Sequence, residues 1–180
     1  MNLYELETTV KTPILYLDMD GVLADFYGPF NRMAGVTSWK DAPQKVTLQV
    51  LNKITKQDDF WINLDVLPDV PKLMSAIKSL FGGEYKLLSK AIASDPNAVA
   101  QKKQWAQKNL SPLPNETIIM PATADKGIYA RQSDGTANIL IDDFGVNIKK
   151  WQKAGGIGVQ HKTGAVDRTI QQLKSAISKK

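Results

Sequence analysis

Two pairs of aspartates are the feature of this sequence with the clearest chemical meaning. Asp18 and Asp20 follow one uninterrupted apolar run, and Asp142 and Asp143 follow another. If the two runs are neighbouring strands, four carboxylates meet at one edge of a sheet, where they repel each other unless a cation is bound. Carboxylate oxygens are ligands that Mg²⁺ prefers, so the two pairs predict a magnesium site and phosphate chemistry.

One aspartate of such a site can attack phosphorus, and a second can carry the proton that the leaving group needs. A carboxylate next to a metal acts as a nucleophile and forms an aspartyl-phosphate. A neighbouring carboxyl group gives a proton to the leaving oxygen and later takes one from water. Aspartates also begin turns, but that alternative does not explain why a second strand ends in two of them.

The metal ligands expected from the two strands are Asp18 and Asp142. Asp143 is expected to hold a metal-bound water or to orient the site from outside, with a helix N-cap as its alternative role. Ser89 follows another apolar segment, so its hydroxyl is expected at the same edge, where it could donate to phosphate.

Two lysines compete for the remaining phosphate contact. Lys102 lies within a predicted helix, and Lys126 lies at the start of a short one. Either ammonium could neutralise charge on the phosphoryl group, and a surface position is the alternative for both. Placement after a strand favours Lys126, but both remain candidates.

Aromatic residues and one histidine complete the set of candidates. Phe60 and Trp61 could stack on a base or sugar, while packing against the core explains them equally well. His161, the only histidine, is interpreted as a surface or loop residue, since no G-x-S-x-G motif supplies a nucleophile for it. The glycine-rich phosphate and dinucleotide loops are also missing, which excludes those two nucleotide-binding classes.

The elements that must position these residues alternate along the chain, which predicts an α/β protein with a parallel sheet. Uninterrupted apolar runs are typical of strands buried on both faces, and the intervening segments show the apolar period of amphipathic helices. The predicted strands are 14–17, 85–88, 117–120, 138–141 and 157–160, and the predicted helices cover about 70–81, 94–109, 126–131, 144–154 and 166–177.

Glycine and proline break the segment after the first strand into helical pieces. We therefore expect residues 26–67 to form a small helical cap inserted after that strand, and residues 1–25 with 68–180 to form the core domain. The length of 180 residues and the hydrophobic content of 43% suit this single core with one insert.

Composition excludes several other classes of protein. The lack of cysteine excludes disulfides, thiolate metal sites and cysteine nucleophiles, and a cytoplasmic location is expected. No apolar stretch is long enough to span a membrane, and the acidic N-terminus predicts no signal peptide. The net charge of +5 is spread over separate lysines, which favours a solvated surface over a nucleic-acid patch.

Together these motifs resemble the haloacid dehalogenase (HAD) superfamily of phosphotransferases, from about residue 14 to residue 159. Asp18-Met19-Asp20-Gly21-Val22-Leu23 matches the first motif of that superfamily, Ser89 the second, Lys126 or Lys102 the third, and Asp142-Asp143 the fourth. Within the superfamily the chain looks most like the 5'(3')-deoxyribonucleotidases, through residues 18–26, Phe60-Trp61 before Leu67-Pro68, Lys102-x-x-Trp105 and 140–143.

The resemblance implies a Rossmann-like HAD fold with a small helical cap, and it implies roles for individual residues. It makes Asp18 the nucleophile and Asp20 the acid and base. Mg²⁺ is then held by Asp18, the main-chain carbonyl of Asp20, and Asp142. Ser89 and a lysine bind phosphate, and the pattern of the family favours Lys102.

The resemblance also gives Phe26, Phe60 and Trp61 a place in the nucleoside pocket. Two positions depart from the family pattern near the substrate. Lys90 replaces a small polar residue, and Phe144 stands where arginine is often found, so no preference for a base or sugar carries over.

The resulting hypothesis is a Mg²⁺-dependent phosphomonoesterase acting on a small phosphate ester, with a deoxyribonucleoside monophosphate as the expected substrate. The alternatives are a phosphatase for a polynucleotide 3'-end or a sugar phosphate, and a non-enzymatic binding module on the same fold. The basic charge keeps nucleic acid as an alternative partner, no membrane partner is expected, and a homodimer is left open.

Overall fold

The computed structural model describes residues 12–178, which form a five-stranded parallel sheet with helices on both faces. The order across the sheet is β3-β2-β1-β4-β5. This arrangement confirms the predicted α/β, Rossmann-like class. The strands are β1 (Leu15–Leu17), β2 (Lys86–Ala91), β3 (Glu116–Pro121), β4 (Ile139–Asp142) and β5 (Ile157–Gln160).

Six α-helices occur in this part of the chain, together with short 3₁₀-helices at Trp39–Asp41 and Lys126–Tyr129. None of the helices between residues 12 and 178 has the length and apolar character needed to cross a membrane. The α-helices are α1 (Tyr27–Ala34), α2 (Gln44–Ile54), α3 (Val70–Phe81), α4 (Ala98–Asn109), α5 (Gly145–Lys153) and α6 (Val166–Ser178).

Alternate residues of the central strand pack on opposite faces of the sheet. Leu15 and Leu17 join the main core, to which α3, α4 and α6 contribute, whereas Tyr16 packs in a second cluster with Trp151 of α5. The Tyr16 and Trp151 rings meet edge to face with their centroids 5.5 Å apart. Because both faces are covered, all of β1 is buried, which explains its uninterrupted apolar run.

The segment between β1 and α3 leaves the sheet and returns to it at nearly the same point. Ala24 forms an antiparallel bridge with Val66, and the Leu67 N–H donates to the Leu23 carbonyl at 2.9 Å. Helices α1 and α2 lie in this segment, and Phe30 belongs to the main core. The insert is therefore helical, as predicted, and packs against the same core as the sheet.

Three strands extend further than predicted, and two of them, β2 and β4, continue past residues that could do chemistry. β2 pairs with β3 as far as Ala91, so Ser89 and Lys90 lie within the strand instead of after it. β4 includes Asp142, which pairs with Gln160 of β5.

The predicted lack of a signal peptide concerns residues 1–11, which lie outside the described residues.

His161 lies in a loop after β5, as expected, but it is not a surface residue. Its side chain is fully buried, with Nδ1 2.9 Å from the Thr169 hydroxyl and Nε2 3.5 Å from an Asp69 carboxylate oxygen. Burial lowers the pKa of His161, although the charge of Asp69 opposes this shift. Thr169 lies only eight residues after His161, in α6, but Asp69, which directly precedes α3, comes from a distant part of the sequence, so no local pattern could indicate that contact.

Candidate active site

Pairing between β1 and β4 brings the two aspartate pairs together. The strands are parallel neighbours, with Leu17 opposite Ile141, so both end at the same edge of the sheet. The Asp18 N–H donates to the Ile141 carbonyl at 2.9 Å, which continues the pairing beyond β1. Asp142 ends β4 and Asp143 follows it. The carboxyl edge of the sheet, where open α/β sheets bind ligands, thus holds both pairs.

A tight turn at Gly21 redirects the chain after Asp20. Gly21 has a φ of 77°, and its N–H donates to the Ala24 carbonyl at 2.9 Å. A Cβ at this position would lie 2.7 Å from the Asp143 carboxylate and 2.7 Å from the Tyr27 ring. The glycine is therefore required both by the backbone conformation and by the close approach of the two side chains.

Three of the carboxylates form a cluster that suits a hard divalent cation. Asp18, Asp142 and Asp143 each offer an oxygen, and these oxygens lie within 4.8 Å of one another. Burial, and then the charge of Asp18, raises the pKa of Asp142 to about 6. Burial and the charges of Asp18 and Asp142 raise the pKa of Asp143 to about 7. An oxygen-only donor set under this repulsion fits Mg²⁺.

The side chain of Asp20 is not part of this cluster. The family resemblance assigns the metal to Asp18, the main-chain carbonyl of Asp20 and Asp142, with Asp143 holding a metal-bound water or orienting the site from outside. In the structure the carboxylate of Asp143 lies with Asp18 and Asp142, while that of Asp20 is ion-paired with Lys102. The side chains of Asp18 and Asp20 therefore have different cationic partners, Lys126 and Lys102.

Lys126 lies between the two strand ends. Its ammonium is 2.9 Å from Asp18 Oδ1 and 2.7 Å from Asp142 Oδ2, and the side chain is 1% exposed. Burial lowers the pKa of Lys126, but the charges of Asp18 and Asp142 outweigh burial and raise it above the ordinary value. The ammonium is thus held charged beside two carboxylates of the cluster.

Lys102 reaches the other side of the site from α4. Its buried ammonium is ion-paired with Asp20 Oδ2, donates to the Lys90 carbonyl at 2.8 Å, and lies 3.3 Å from the Ser89 hydroxyl. It also lies 4.3 Å from the centroid of the Trp61 ring, in cation–π contact. Both lysines singled out from the sequence are therefore in the site: Lys102 pairs with Asp20, and Lys126 pairs with Asp18 and Asp142.

Two side chains that sequence reasoning missed support the carboxylates. The Asn147 amide donates to both oxygens of Asp142, at 3.2 and 3.0 Å. Tyr27, the first residue of α1, is hydrogen-bonded to Asp143. Asn147 lies in the first turn of the helix that follows Asp142, which is the signal that could have identified it, whereas Tyr27 comes from the insert.

A cavity of about 280 Å³ opens above the carboxylates. One part of its wall is charged or polar and the other is aromatic. Within the aromatic part, the Tyr27 and Trp39 rings stack with centroids 5.4 Å apart, and Trp39 meets Phe144 at 5.9 Å. The lining residues include Asp18, Asp20, Lys90, Lys126, Asp143 and Asn147 on the polar side and Phe26, Tyr27, Phe30, Trp39 and Phe144 on the aromatic side.

Of the four residues predicted for the substrate pocket, Phe26 and Lys90 line this cavity, and Phe60 and Trp61 do not. Phe60 and Trp61 are 7% and 2% exposed and belong to the main core. Trp61 stacks against Phe26, with centroids 5.5 Å apart, and its Nε1–H donates to Asp95 Oδ2 at 2.7 Å. The alternative of core packing describes these two aromatics better than contact with a ligand.

Comparison with known proteins adds a family match. The family described as "5' nucleotidase, deoxy (Pyrimidine), cytosolic type C protein" matches residues 12–171. No significant match was found among curated proteins. A solved structure of a hydrolase from Streptococcus pneumoniae TIGR4 is similar, with a TM-score of 0.51, 16% identity, and coverage of 89% of this chain and 97% of that one. At this identity the structural similarity supports the fold alone.

Proposed function

Because this chain belongs to the family of cytosolic type C deoxynucleotide 5'-nucleotidases, a family of phosphoric monoester hydrolases, we propose that it hydrolyses a deoxyribonucleoside monophosphate with Mg²⁺, through an aspartyl-phosphate. The observation that carries the proposal is the cluster of Asp18, Asp142 and Asp143 with Lys126 at the floor of an aromatic cavity. The charged floor suits a phosphate group, and the aromatic wall suits a planar base.

Asp18, Asp142 and Asp143 would hold Mg²⁺, with the main-chain carbonyl of Asp20 as the ligand that the family resemblance adds. When bound, Mg²⁺ supplies charge neutralisation and orientation for the phosphate oxygens. Lys126 keeps the carboxylates of Asp18 and Asp142 in place at the floor of the cavity.

Asp18 acts as the nucleophile in this proposal. Its Oδ1 accepts hydrogen bonds from the Met19 N–H at 2.8 Å and lies 2.9 Å from the Lys126 ammonium. This contact fixes the carboxylate and leaves Oδ2 for attack on phosphorus. The new bond joins Oδ2 to phosphorus while the bond between phosphorus and the ester oxygen breaks.

Asp20 carries the proton. Its Oδ1 is buried with no hydrogen-bond partner among the described residues, while Oδ2 is paired with Lys102. Burial raises the pKa of Asp20, although the charge of Lys102 opposes the shift. Asp20 donates its proton to the leaving oxygen; it then takes a proton from the water that attacks phosphorus and releases Asp18.

In this proposal residues 26–67 are the cap, and residues 1–25 with 68–180 are the core domain. The bridge between Ala24 and Val66 supports these limits, since it joins the two ends of the insert. The cap contributes Phe26, Tyr27 and Trp39 to the cavity wall, so it would recognise the nucleoside. We place the enzyme in the cytoplasm, in keeping with the description of its family and the lack of cysteine.

The test is phosphate release from a panel of 5'- and 3'-monophosphates of deoxyribonucleosides, with Mg²⁺ and with EDTA. Asp18→Asn should lower kcat at least about a thousandfold, because the amide cannot form the acyl-phosphate. Asp167→Asn, at an exposed carboxylate of α6, is the matched control. Wild-type turnover by Asp18→Asn contradicts the mechanism, and activity confined to a sugar phosphate or a 3'-phosphorylated oligonucleotide contradicts the substrate.

A further inference from the structure

Lys90 is the cationic side chain of the cavity wall whose charge is not used by a carboxylate. It lies in β2 next to Ser89 and lines the cavity together with Asp18 and Lys126. Among the described residues, its ammonium has one polar partner, the neutral Asn147 Oδ1 at 3.4 Å. Lys102 and Lys126, in contrast, are each ion-paired with aspartates.

Asn147 fixes the position of Lys90 relative to the metal cluster. The amide nitrogen of Asn147 donates to both oxygens of Asp142, so its oxygen is turned toward the Lys90 ammonium. Lys90 lines the same cavity as Asp18, the reacting carboxylate, and Lys126. The Lys90 ammonium is thus hydrogen-bonded to a side chain that itself contacts Asp142 of the carboxylate cluster.

The charge balance of the site calls for a further cation once a substrate is present. With Asp20 carrying its proton, the three negative charges of Asp18, Asp142 and Asp143 face the four positive charges of Lys102, Lys126 and one divalent ion. A phosphate monoester dianion then adds two negative charges to the same cavity. Burial and the neighbouring cations Lys126 and Lys150 disfavour the charged form of Lys90 and lower its pKa, so an anion beside it would relieve this cost.

We propose that Lys90 is a further catalytic residue, whose ammonium binds the non-bridging oxygens of the transferring phosphate. This inference rests on the proposed function, and it assigns to Lys90 the contact for which Lys102 and Lys126 compete on sequence grounds. It also means that the site selects a phosphate dianion over a monoanion, since the charge of Lys90 balances the one excess negative charge that a bound dianion leaves in the cavity.

The experiment is calorimetric titration of inorganic phosphate into the Mg²⁺-loaded protein, alongside phosphate inhibition of nucleotide hydrolysis. Three variants are compared with the wild type. Lys90→Met removes the charge and keeps the length of the side chain, Lys90→Arg keeps the charge, and Lys149→Met removes an exposed charge from α5 as a matched control. Thermal melting establishes that each variant folds.

We expect Lys90→Met to weaken phosphate binding about ten- to a hundredfold and to lower kcat/KM by a similar factor, the range typical of a charge-assisted contact. Lys90→Arg should stay within about threefold of the wild type and Lys149→Met within about twofold. Equal phosphate affinity in wild type and Lys90→Met overturns the proposal. A loss of phosphate affinity in Lys90→Arg as large as that in Lys90→Met also overturns it. Protein that binds phosphate through Lys90 but hydrolyses no nucleotide would contradict the proposed function and support this inference.

Discussion

At the scale of single residues, the site contains buried charged side chains, and a contribution to protein stability does not explain their presence. Lys102 and Lys126 are 0% and 1% exposed and are paired with aspartates. Buried ion pairs are often no more stabilising than apolar residues of the same volume, while removal of one partner costs about 3–5 kcal/mol. The two lysines are better explained by the need to hold Asp18 and Asp20 in position for chemistry.

Asp143→Asn should stabilise the metal-free protein. The pKa of Asp143 is raised to about 7 by burial and by the charges of Asp18 and Asp142. Because the folded state keeps a proton that the unfolded state releases, the stability linked to this group is present near pH 4 and is lost as the pH rises to about 7. The variant should therefore gain on the order of 2 kcal/mol at pH 8, allowing for solvent screening, and little at pH 4.

Chemical denaturation in EDTA at the two pH values measures this gain. Asp41→Asn, at an exposed carboxylate of the insert, is the control and should leave the free energy of unfolding unchanged at both. A gain for Asp143→Asn that is equal at pH 4 and pH 8 contradicts the electrostatic explanation.

His161 should make the folded protein less stable in mild acid. Its pKa is lowered by burial, so below about pH 6.5 the unfolded chain binds a proton that the folded protein does not. Stability is complete above that pH and falls as the pH drops below it. His161→Gln should reduce the slope of unfolding free energy against pH by up to about 1.4 kcal/mol per unit between pH 6.5 and 5.

The comparison is made by urea denaturation across that range. His161 is the only histidine in the chain, so no other imidazole contributes to the difference between wild type and variant. An identical slope for the two proteins would show that the ring is protonated equally in the folded and unfolded states.

At the scale of elements, the sequence predicted well what depends on local pattern. α3 covers 70–81 and β5 covers 157–160, as their periodicity indicates. It predicted less well where strands end, because the end of β2 depends on its pairing with β3. Ser89 therefore lies within β2 instead of after it, which the local propensities of the sequence could not predict.

The candidate site shows the same division between local and distant information. Carboxylates directly after strands were predictable, since parallel neighbours end at a common edge. Which lysine meets which aspartate was not, because Lys102 and Asp20 are 82 residues apart in the sequence. The positions of Phe60 and Trp61 also depend on distant partners, as the hydrogen bond from Trp61 to Asp95 shows.

Trp61 should matter for stability and Trp39 for substrate binding, although both are tryptophans of the insert. Trp61→Phe leaves a buried Asp95 oxygen without its donor and weakens the contact with Lys102, so it should cost about 1–3 kcal/mol. Trp39→Phe changes a ring on the cavity wall and should mainly raise KM for nucleotides. Urea denaturation and steady-state kinetics on both variants test the pair; a reversed pattern means that Trp61, not Trp39, contacts the substrate.

At the scale of the whole molecule, one core links the candidate site to the rest of the fold. The main core includes residues of β1 and β4 and of the insert, such as Leu17, Ile141 and Phe30. The carboxylates are attached directly to the ends of these two strands. An ion bound at the sheet edge should therefore stabilise the cooperative unit as a whole, and its binding can be read from global unfolding.

Mg²⁺ should raise the melting temperature of the EDTA-treated protein. Mg²⁺ would bind because it relieves the repulsion among Asp18, Asp142 and Asp143. Binding to the folded state alone raises the free energy of unfolding by about 2.7 kcal/mol when the free ion is at about a hundredfold excess over Kd. For a chain of this size that corresponds to a rise of roughly 5–10 °C. Asp142→Asn removes one charged carboxylate ligand and should abolish the rise, and KCl in place of Mg²⁺ at matched ionic strength should cause no rise in the wild type. An equal rise in wild type and variant would place the ion elsewhere on the molecule, whereas a rise that requires Asp142 ties metal binding to the edge where the two strands end.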